Sequence, residues 1–446
     1  MTKTIFIYIL STLLIFIILG VQYAETYTEY LDVFFLNIFY LLAFSATILI
    51  LLKYSNIRLR SILTICFFFN LFLGTAYVVS INNHTDLFFQ YVPSDAPFYD
   101  EAGRQVAEGN LIEGIQTLIK ETKYGLDDMG MVFYVGMVYK VIDSPLLLKL
   151  VNLIINLLTT YLIFKLARPF MSKRFALLAA LVFSISSFNL WFLIVGLKEP
   201  VVILLLVSYF HFLIKYMNTR KPGYFILMVL TGGSLATFRI ALVLFTLVAT
   251  AIAFVFRKGV DLRKALAIIT LLGILGSSLY IYRDPVSSLI NRENASVYKG
   301  DTETSSKINF PIVFAAGVFG PFPTIIPKTD KLQADVSVYA PSLILKVVIS
   351  IYFLYGLVFM FKEKHYSMIA LAAFCCIEIL ALTMIDSTFK LRYSFPHFPL
   401  FYIIAFYGMY YVFEKKWNES RLLREAAIGF QIASLGIVLL WNVLRL

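Results

Sequence analysis

The chain has 446 residues, a formal net charge of +11, 60% hydrophobic residues, 16% aromatic residues and only 15% charged ones, with a mean hydropathy of +0.82. That balance excludes an ordinary soluble domain and specifies a polytopic membrane protein. The excess of lysine and arginine falls in short clusters between apolar runs, which is a topological pattern, so nucleic acid is excluded as a partner and membrane lipids are expected ones.

The chain enters an apolar run directly after Met1-Thr2-Lys3, with no small-residue cleavage site behind it, so a retained first helix is expected. Apolar runs suited to crossing a bilayer lie at 5 to 22, 31 to 52, 61 to 80, 146 to 166, 175 to 196, 200 to 214, 223 to 238, 240 to 256, 265 to 282, 342 to 361, 367 to 385, 395 to 413 and 426 to 444. Set against a requirement of ~20 residues per crossing, they predict an all-α protein of about 13 transmembrane helices. The three cysteines, Cys66, Cys375 and Cys376, sit inside apolar runs and give neither a disulfide framework nor a zinc site.

Basic residues mark one side. Lys53, Arg58 and Arg60; Lys165, Arg168, Lys173 and Arg174; Lys215, Arg220 and Lys221; Arg257, Lys258, Arg263 and Lys264; Lys362 and Lys364; and Lys415, Lys416, Arg421 and Arg424 all fall in connections of one side. The positive-inside rule makes that side the cytoplasm, with the N-terminus there. Within one membrane domain over 1 to 446, two long polar loops are then external and form a small cap. The first covers 81 to 145, is rich in Asp and Glu, and has surface helices expected at 102 to 120 and 131 to 142. The second covers 283 to 341. Its polar part runs from Asn291 to Lys307, and Gly317 to Pro323 follows, where proline and glycine forbid regular helix.

Two connections are too short for straight crossings. Between Lys221 and Arg257 the chain must leave and return to the basic side, yet about 34 residues at 1.5 Å rise give ~50 Å, less than two crossings of ~30 Å. The turn is expected near Gly232-Gly233-Ser234 to Arg239, which places the Arg239 guanidinium in a cavity below the far surface. The run after Lys198-Glu199-Pro200 is similarly short, and Lys198 and Glu199 either neutralise each other or face that cavity.

The first polar loop holds the densest chemistry. Asp95, Tyr99 and Asp100 flank Pro97 and lead into Ala102, Gly103, Ala107 and Gly109. One reading is purely structural, with Ser94 or Asp95 as an N-cap and Pro97 in the first turn. The segment SDAPFYDEAGRQVAEG also resembles the first external-loop signature of the GT-C glycosyltransferases, in particular the bacterial relatives of the protein O-mannosyltransferases. GLKEP at 196 to 200, FGPFP at 319 to 323 and RYSFPHFPLFYIIAFYG at 392 to 408 resemble polysaccharide-cluster members of the same group.

The resemblance implies a GT-C-like fold in a bacterial inner or plasma membrane. It implies transfer of a hexosyl or pentosyl group from a polyprenyl phosphate or diphosphate donor to a glycan, lipid or protein acceptor on the external face, in cell-envelope polysaccharide biosynthesis. A carboxylate is needed to take the proton of the acceptor hydroxyl. Asp95 is the first choice for it and Asp100 the other. Cations are needed where the lipid phosphate leaves, and Arg239, Arg392 and Lys198 are the candidates, with Tyr99 and Glu199 in support. Arg392 at a span end also suits an interfacial anchor. Glu378 and Asp386, eight residues apart, are potential partners for a cation.

No cofactor is called for beyond the lipid-linked sugar as substrate. A divalent metal is compatible with Asp95 or Asp100 beside a donor phosphate, but no ligand spacing demands one. Two other functions fit the same outline: an O-antigen or exopolysaccharide polymerase, and a transporter or flippase for a lipid-linked sugar, which would carry charges along a path through several helices.

Overall fold

A computed structural model describes residues 2–22, 31–54, 57–84, 95–120, 128–256, 317–318, 334–384, 391–415 and 420–443. The apolar run at 265 to 282, most of the second polar loop, Ser94 and Asp386 lie outside the described residues, as does the side chain of Arg392. The described residues are helical and contain no strand. In chain order the helices are α1 Thr2–Gln22, α2 Leu31–Lys53, α3 Leu59–His84, α4 Ala96–Ala107, α5 Leu111–Lys120, α6 Met129–Tyr139, α7 Pro145–Ala167, α8 Lys173–Ser184, α9 Ser187–Val195 and α10 Glu199–Thr219. They continue with α11 Pro222–Ala236, α12 Ile240–Val255, α13 Ala334–Lys362, α14 Ile369–Met384, α15 Phe398–Phe413 and α16 Ser420–Val443.

Six of them contain stretches long and apolar enough to cross a membrane: α2, α3, α7, α10, α13 and α16. A seventh crossing is made if α8 and α9, bent by 46° at a short break, count as one. Large apolar side chains such as Phe6, Phe68, Phe72, Leu230 and Ile437 stand exposed on the outside of the bundle, the arrangement of a membrane-embedded protein whose solvent is lipid.

Among the described residues, helix packing brings the basic connections around Lys53, Lys173, Lys364 and Lys415 together at one end of the bundle. Ser172 donates to Glu414 at 2.7 Å, Arg174 donates to the Leu52 carbonyl, Lys415 pairs with Glu363 at 3.3 Å, and Arg424 reaches the Val412 carbonyl. A cleft lined by Leu51, Tyr54, Ile57, Lys173 and Arg174 opens at this basic end. Measured from it, α11 and α12 have 15 and 16 residues. At 1.5 Å rise these are ~22–24 Å long, short of a ~30 Å hydrocarbon core. The turn between them falls at Thr237 to Arg239, not at the glycine pair, because α11 continues through Gly232 and Gly233 to Ala236. Gly232 serves close packing instead, since a Cβ there would meet the Tyr209 ring at 3.3 Å.

The expected surface helix at 102 to 120 is two helices. Gly109, at φ +99° in the region that favours glycine, ends α4 and turns the chain into α5. Helices α4 and α6 cross where Gly103 meets Val135 and Gly136 meets Val106, each glycine filled by the other helix's valine. Helix α6 then docks on the α11–α12 turn through a backbone hydrogen bond from Gly130 N to the Thr237 carbonyl, 2.9 Å.

The α8–α9 break is held by polar side chains from several helices. The Ser184 carbonyl accepts from Asn70, Asn156 and Asn189 at 3.1, 3.3 and 2.9 Å, and the Ile185 carbonyl accepts from Tyr40 at 3.1 Å. Ser187 and Ser342 pair at 2.9 Å, and Ser342 Oγ accepts from Phe188 N at 3.0 Å. In lipid a broken helix persists only if its freed backbone groups are satisfied internally, and here they are.

Candidate functional site

Among the described residues six α-helices begin with an ionisable residue at the N-cap position: exposed Lys221 before α11 and, away from it, Asp95 before α4, Asp128 before α6, Lys198 before α10, Arg239 before α12 and His397 before α15. Local sequence explains these starts. Gly196, at φ +78°, ends α9 in the left-handed region, and Pro200 occupies the first turn of α10, so GLKEP is a helix stop followed by a helix start. Cations at helix N-termini are disfavoured by the backbone dipole, and acids offset that here.

Lys198 donates to Asp128 Oδ1 at 2.5 Å, and the Tyr99 hydroxyl donates to the same oxygen at 2.5 Å. Next in sequence, Glu199 accepts from Arg239 Nη2 at 3.0 Å. Lys198 and Glu199 therefore face different hydrogen-bond partners. All five groups are buried, Glu199 completely. A buried charge removed from water is tolerated only when paired and hydrogen-bonded, and each acid here lies against a cation. The Arg239 guanidinium also stands 5.5 Å over the ring of Tyr393, the neighbour of Arg392.

The cluster continues inward. Arg239 acts electrostatically on Glu378 of α14, whose carboxylate lies 3.4 Å from His397 Nδ1. On the other side of the ring, Nε2 is 2.9 Å from Lys346 Nζ of α13, which also donates to the Gly317 carbonyl at 3.2 Å and rests on the rings of Phe398 and Phe401. Lys346, His397 and Glu378 are all fully buried.

Tyr99, Lys198, Glu199 and Arg239 are thus brought together. Asp95 is half-buried at the start of the Tyr99 helix; its carbonyl accepts from Tyr99 N at 3.1 Å and its side chain makes no cap bond. Asp100 belongs to a separate set: it accepts from the Tyr139 hydroxyl and from Arg104 Nε at 3.3 Å, and Arg104 pairs onward with Asp143. Burial, reinforced by the Asp100 carboxylate, pushes the Tyr139 phenol well above its ordinary value, so it remains a neutral donor to Asp100. Arg392 lies in the short helix Leu391–Ser394.

Sequence reasoning passed over Asp128, Lys346 and His397. Lys346 did carry a signal, as a lone charge in the apolar run Ser342 to Ser350. Among the described residues no group of three or more His, Cys, Asp or Glu side chains is placed to hold a metal ion. Comparison with protein-family models, with curated proteins and with solved structures gave no match for this chain.

Proposed function

We propose that this chain is a glycosyltransferase of the GT-C type, moving a sugar from a polyprenyl phosphate or diphosphate to a glycan, lipid or protein acceptor at the surface opposite the basic end. The observation that carries the reading is the junction of Tyr99, from the first polar loop, with Lys198, Glu199 and Arg239 through Asp128. It supports a polar site sunk at helix breaks, with α4 and α6 packed above it. In this reading Asp95 takes the acceptor proton and Tyr99 holds the helix that presents it. Lys198 and Arg239 meet the departing phosphate, exchanging part of their hold on Asp128 and Glu199 for phosphate oxygens, and Arg392 is the third cation of the reading. Asp100 is the weaker catalytic choice, because Tyr139 and Arg104 already engage it.

The same reading takes α1 and the shorter helices α11, α12, α14 and α15 as further crossings, with the run at 265 to 282, for about 13 in all. It places the basic end in the cytoplasm of a bacterial inner or plasma membrane. The two polar loops are its external cap.

A second reading, a transporter for a lipid-linked sugar, is favoured by one observation. Buried ionisable groups run from Asp128 through α10, α12 and α14 to Lys346 on α13, not in one rim. Mass spectrometry of lipid-linked and polymeric glycans from cells lacking the chain decides between them. Accumulated donor on the outer leaflet with missing product supports the transferase, or a polymerase if single repeat units accumulate. Donor trapped on the cytoplasmic leaflet supports transport, and an unchanged glycan pool overturns both.

A further inference from the structure

The buried groups Lys346, His397 and Glu378 play no part in the proposed sugar chemistry, and their geometry has its own logic. Lys346 Nζ approaches His397 Nε2 at 2.9 Å, and Glu378 approaches Nδ1 at 3.4 Å. An imidazole between a donor and an acceptor holds its one proton on the nitrogen that faces the acceptor. With an ammonium at Lys346 that nitrogen is Nδ1, and its N–H points toward the carboxylate. Among the described residues His397 Nδ1 and both Glu378 oxygens are buried without a hydrogen bond, so the 3.4 Å approach of Nδ1 to Glu378 is a loose ionic contact that a small shift of either side chain would close.

We propose that Lys346, His397 and Glu378 form an intramembrane proton relay, a second ionisable site beside Arg239 whose ligand is the proton. In the transfer step an N–H bond at Lys346 Nζ breaks as one forms at His397 Nε2. The N–H bond at Nδ1 breaks as an O–H bond forms on Glu378. Ammonium and carboxylate become amine and carboxylic acid, the ring changes tautomer, and the net charge of the triad is unchanged. A charge-neutral step suits a bundle interior where an unbalanced charge is costly, and interacting sites of this kind titrate as one unit.

The surroundings fit. Lys346 is the charged residue of α13 at this level; α14 contributes Glu378 and Cys375, whose Sγ lies 3.8 Å from the His397 carbonyl; and the charge of Arg239, at the start of α12 and held by Glu199 of α10, acts on Glu378. Phe398 and Phe401 close the Lys346 side. When the proton sits on Glu378, Arg239 loses the opposing charge of that carboxylate and keeps Glu199, and it is then more attractive to an arriving anion. The relay thereby sets the charge at Arg239 without touching what binds there.

The test uses the full chain in lipid nanodiscs and infrared spectroscopy, which separates carboxylic acid from carboxylate. The Glu378 carbonyl band is assigned by its loss in Glu378→Gln. His397→Gln keeps a donor and an acceptor between Lys346 and Glu378 but cannot change tautomer. Because the step exchanges no proton with solvent, it is read at fixed pH against an anion at Arg239: an anion there must in turn favour the protonated Glu378. The relay requires the Glu378 carbonyl band to grow when inorganic phosphate is added to the unaltered chain and that response to be lost in His397→Gln. A band that phosphate leaves unchanged, or one responding equally in His397→Gln, overturns it. A second measurement needs no triad variant beyond the one for assignment: nitrogen NMR of the His397 ring must show the tautomer changing on the same addition of phosphate, and a single fixed tautomer overturns the relay.

Discussion

Gly130 donates its backbone N–H to the Thr237 carbonyl at 2.9 Å, and it does so with no room for a side chain, since a Cβ at Gly130 would meet Thr237 Oγ1 and, at 2.7 Å, the Phe238 ring. This contact seats α6 on the turn that ends in Arg239, and it sets Asp128, two residues before Gly130, against Lys198.

Gly130→Ala is therefore expected to destabilise the protein by about 1–3 kcal/mol, the usual range for overpacking a close contact, and to lower activity although no charged group is altered. Gly233→Ala, on α11 with nothing near its Cβ position, is the comparison and is expected to leave stability unchanged or raise it by up to ~1 kcal/mol. Thermal unfolding of both variants in the same detergent checks the difference.

The buried pair Glu199 and Arg239 yields a sharper expectation. Glu199→Gln keeps the shape but leaves a guanidinium without its 3.0 Å carboxylate partner, and breaking one side of a buried pair costs about 3–5 kcal/mol. The double variant Glu199→Gln with Arg239→Gln is expected to be more stable than the single effects added together, by roughly 0.5–3 kcal/mol. Denaturant unfolding of the four proteins in the cycle measures the coupling, and strict additivity would contradict the pairing.

The two loop carboxylates are expected to separate in kind. Asp95→Asn should reduce product formation by about 10²–10⁴, the span for loss of a general base, while the protein still binds its polyprenyl donor. Asp100→Asn weakens the bonds from Tyr139 and Arg104 and should lower the melting temperature with a smaller effect on rate. Single-turnover assays beside melting curves distinguish them, and equal rates for Asp95→Asn and the unaltered chain would remove Asp95 from the chemistry.

Helices α13 and α15 cross at two glycines. A Cβ at Gly408 would meet the Tyr352 carbonyl oxygen and, at 2.8 Å, Gly356 N, and one at Gly356 would meet the Ile404 carbonyl oxygen. Backbones approach this closely only where small residues permit it. Gly408→Ala is expected to force the helices apart and destabilise by about 1–3 kcal/mol, an effect visible as a lower melting temperature and faster proteolysis.

Much of this architecture was readable in advance, for definable reasons. An apolar run long enough to cross a bilayer has few options besides helix, so the described helices lie where the runs predicted them. The shortness of the segment before Arg257 pointed to a sunken turn at Arg239, and the guanidinium is buried. The expected turn, from Gly232 to Arg239, began too early, because glycine serves close packing as readily as turning and Tyr209 lies against Gly232. Pairings were less visible. Asp128 is one acid among many in a polar loop, and it becomes a buried partner of Lys198 only because α6 docks on the α11–α12 turn. Lys198 and Glu199 are adjacent in sequence, yet they meet residues 70 positions before and 40 positions after them. Such partners depend on helix register in three dimensions, to which sequence spacing is blind.

The polar knot at the α8–α9 bend bears on how the protein is assembled. Ser187 and Phe188 depend on Ser342, 155 and 154 residues downstream. As the chain is threaded into the bilayer, that joint must wait for α13 before its last partners arrive. Lys198 follows the bend by a single turn-terminated helix, so its bearing is settled late in biogenesis, and a chain truncated before Ser342 would carry the acids and cations of the site without the brace that aims them.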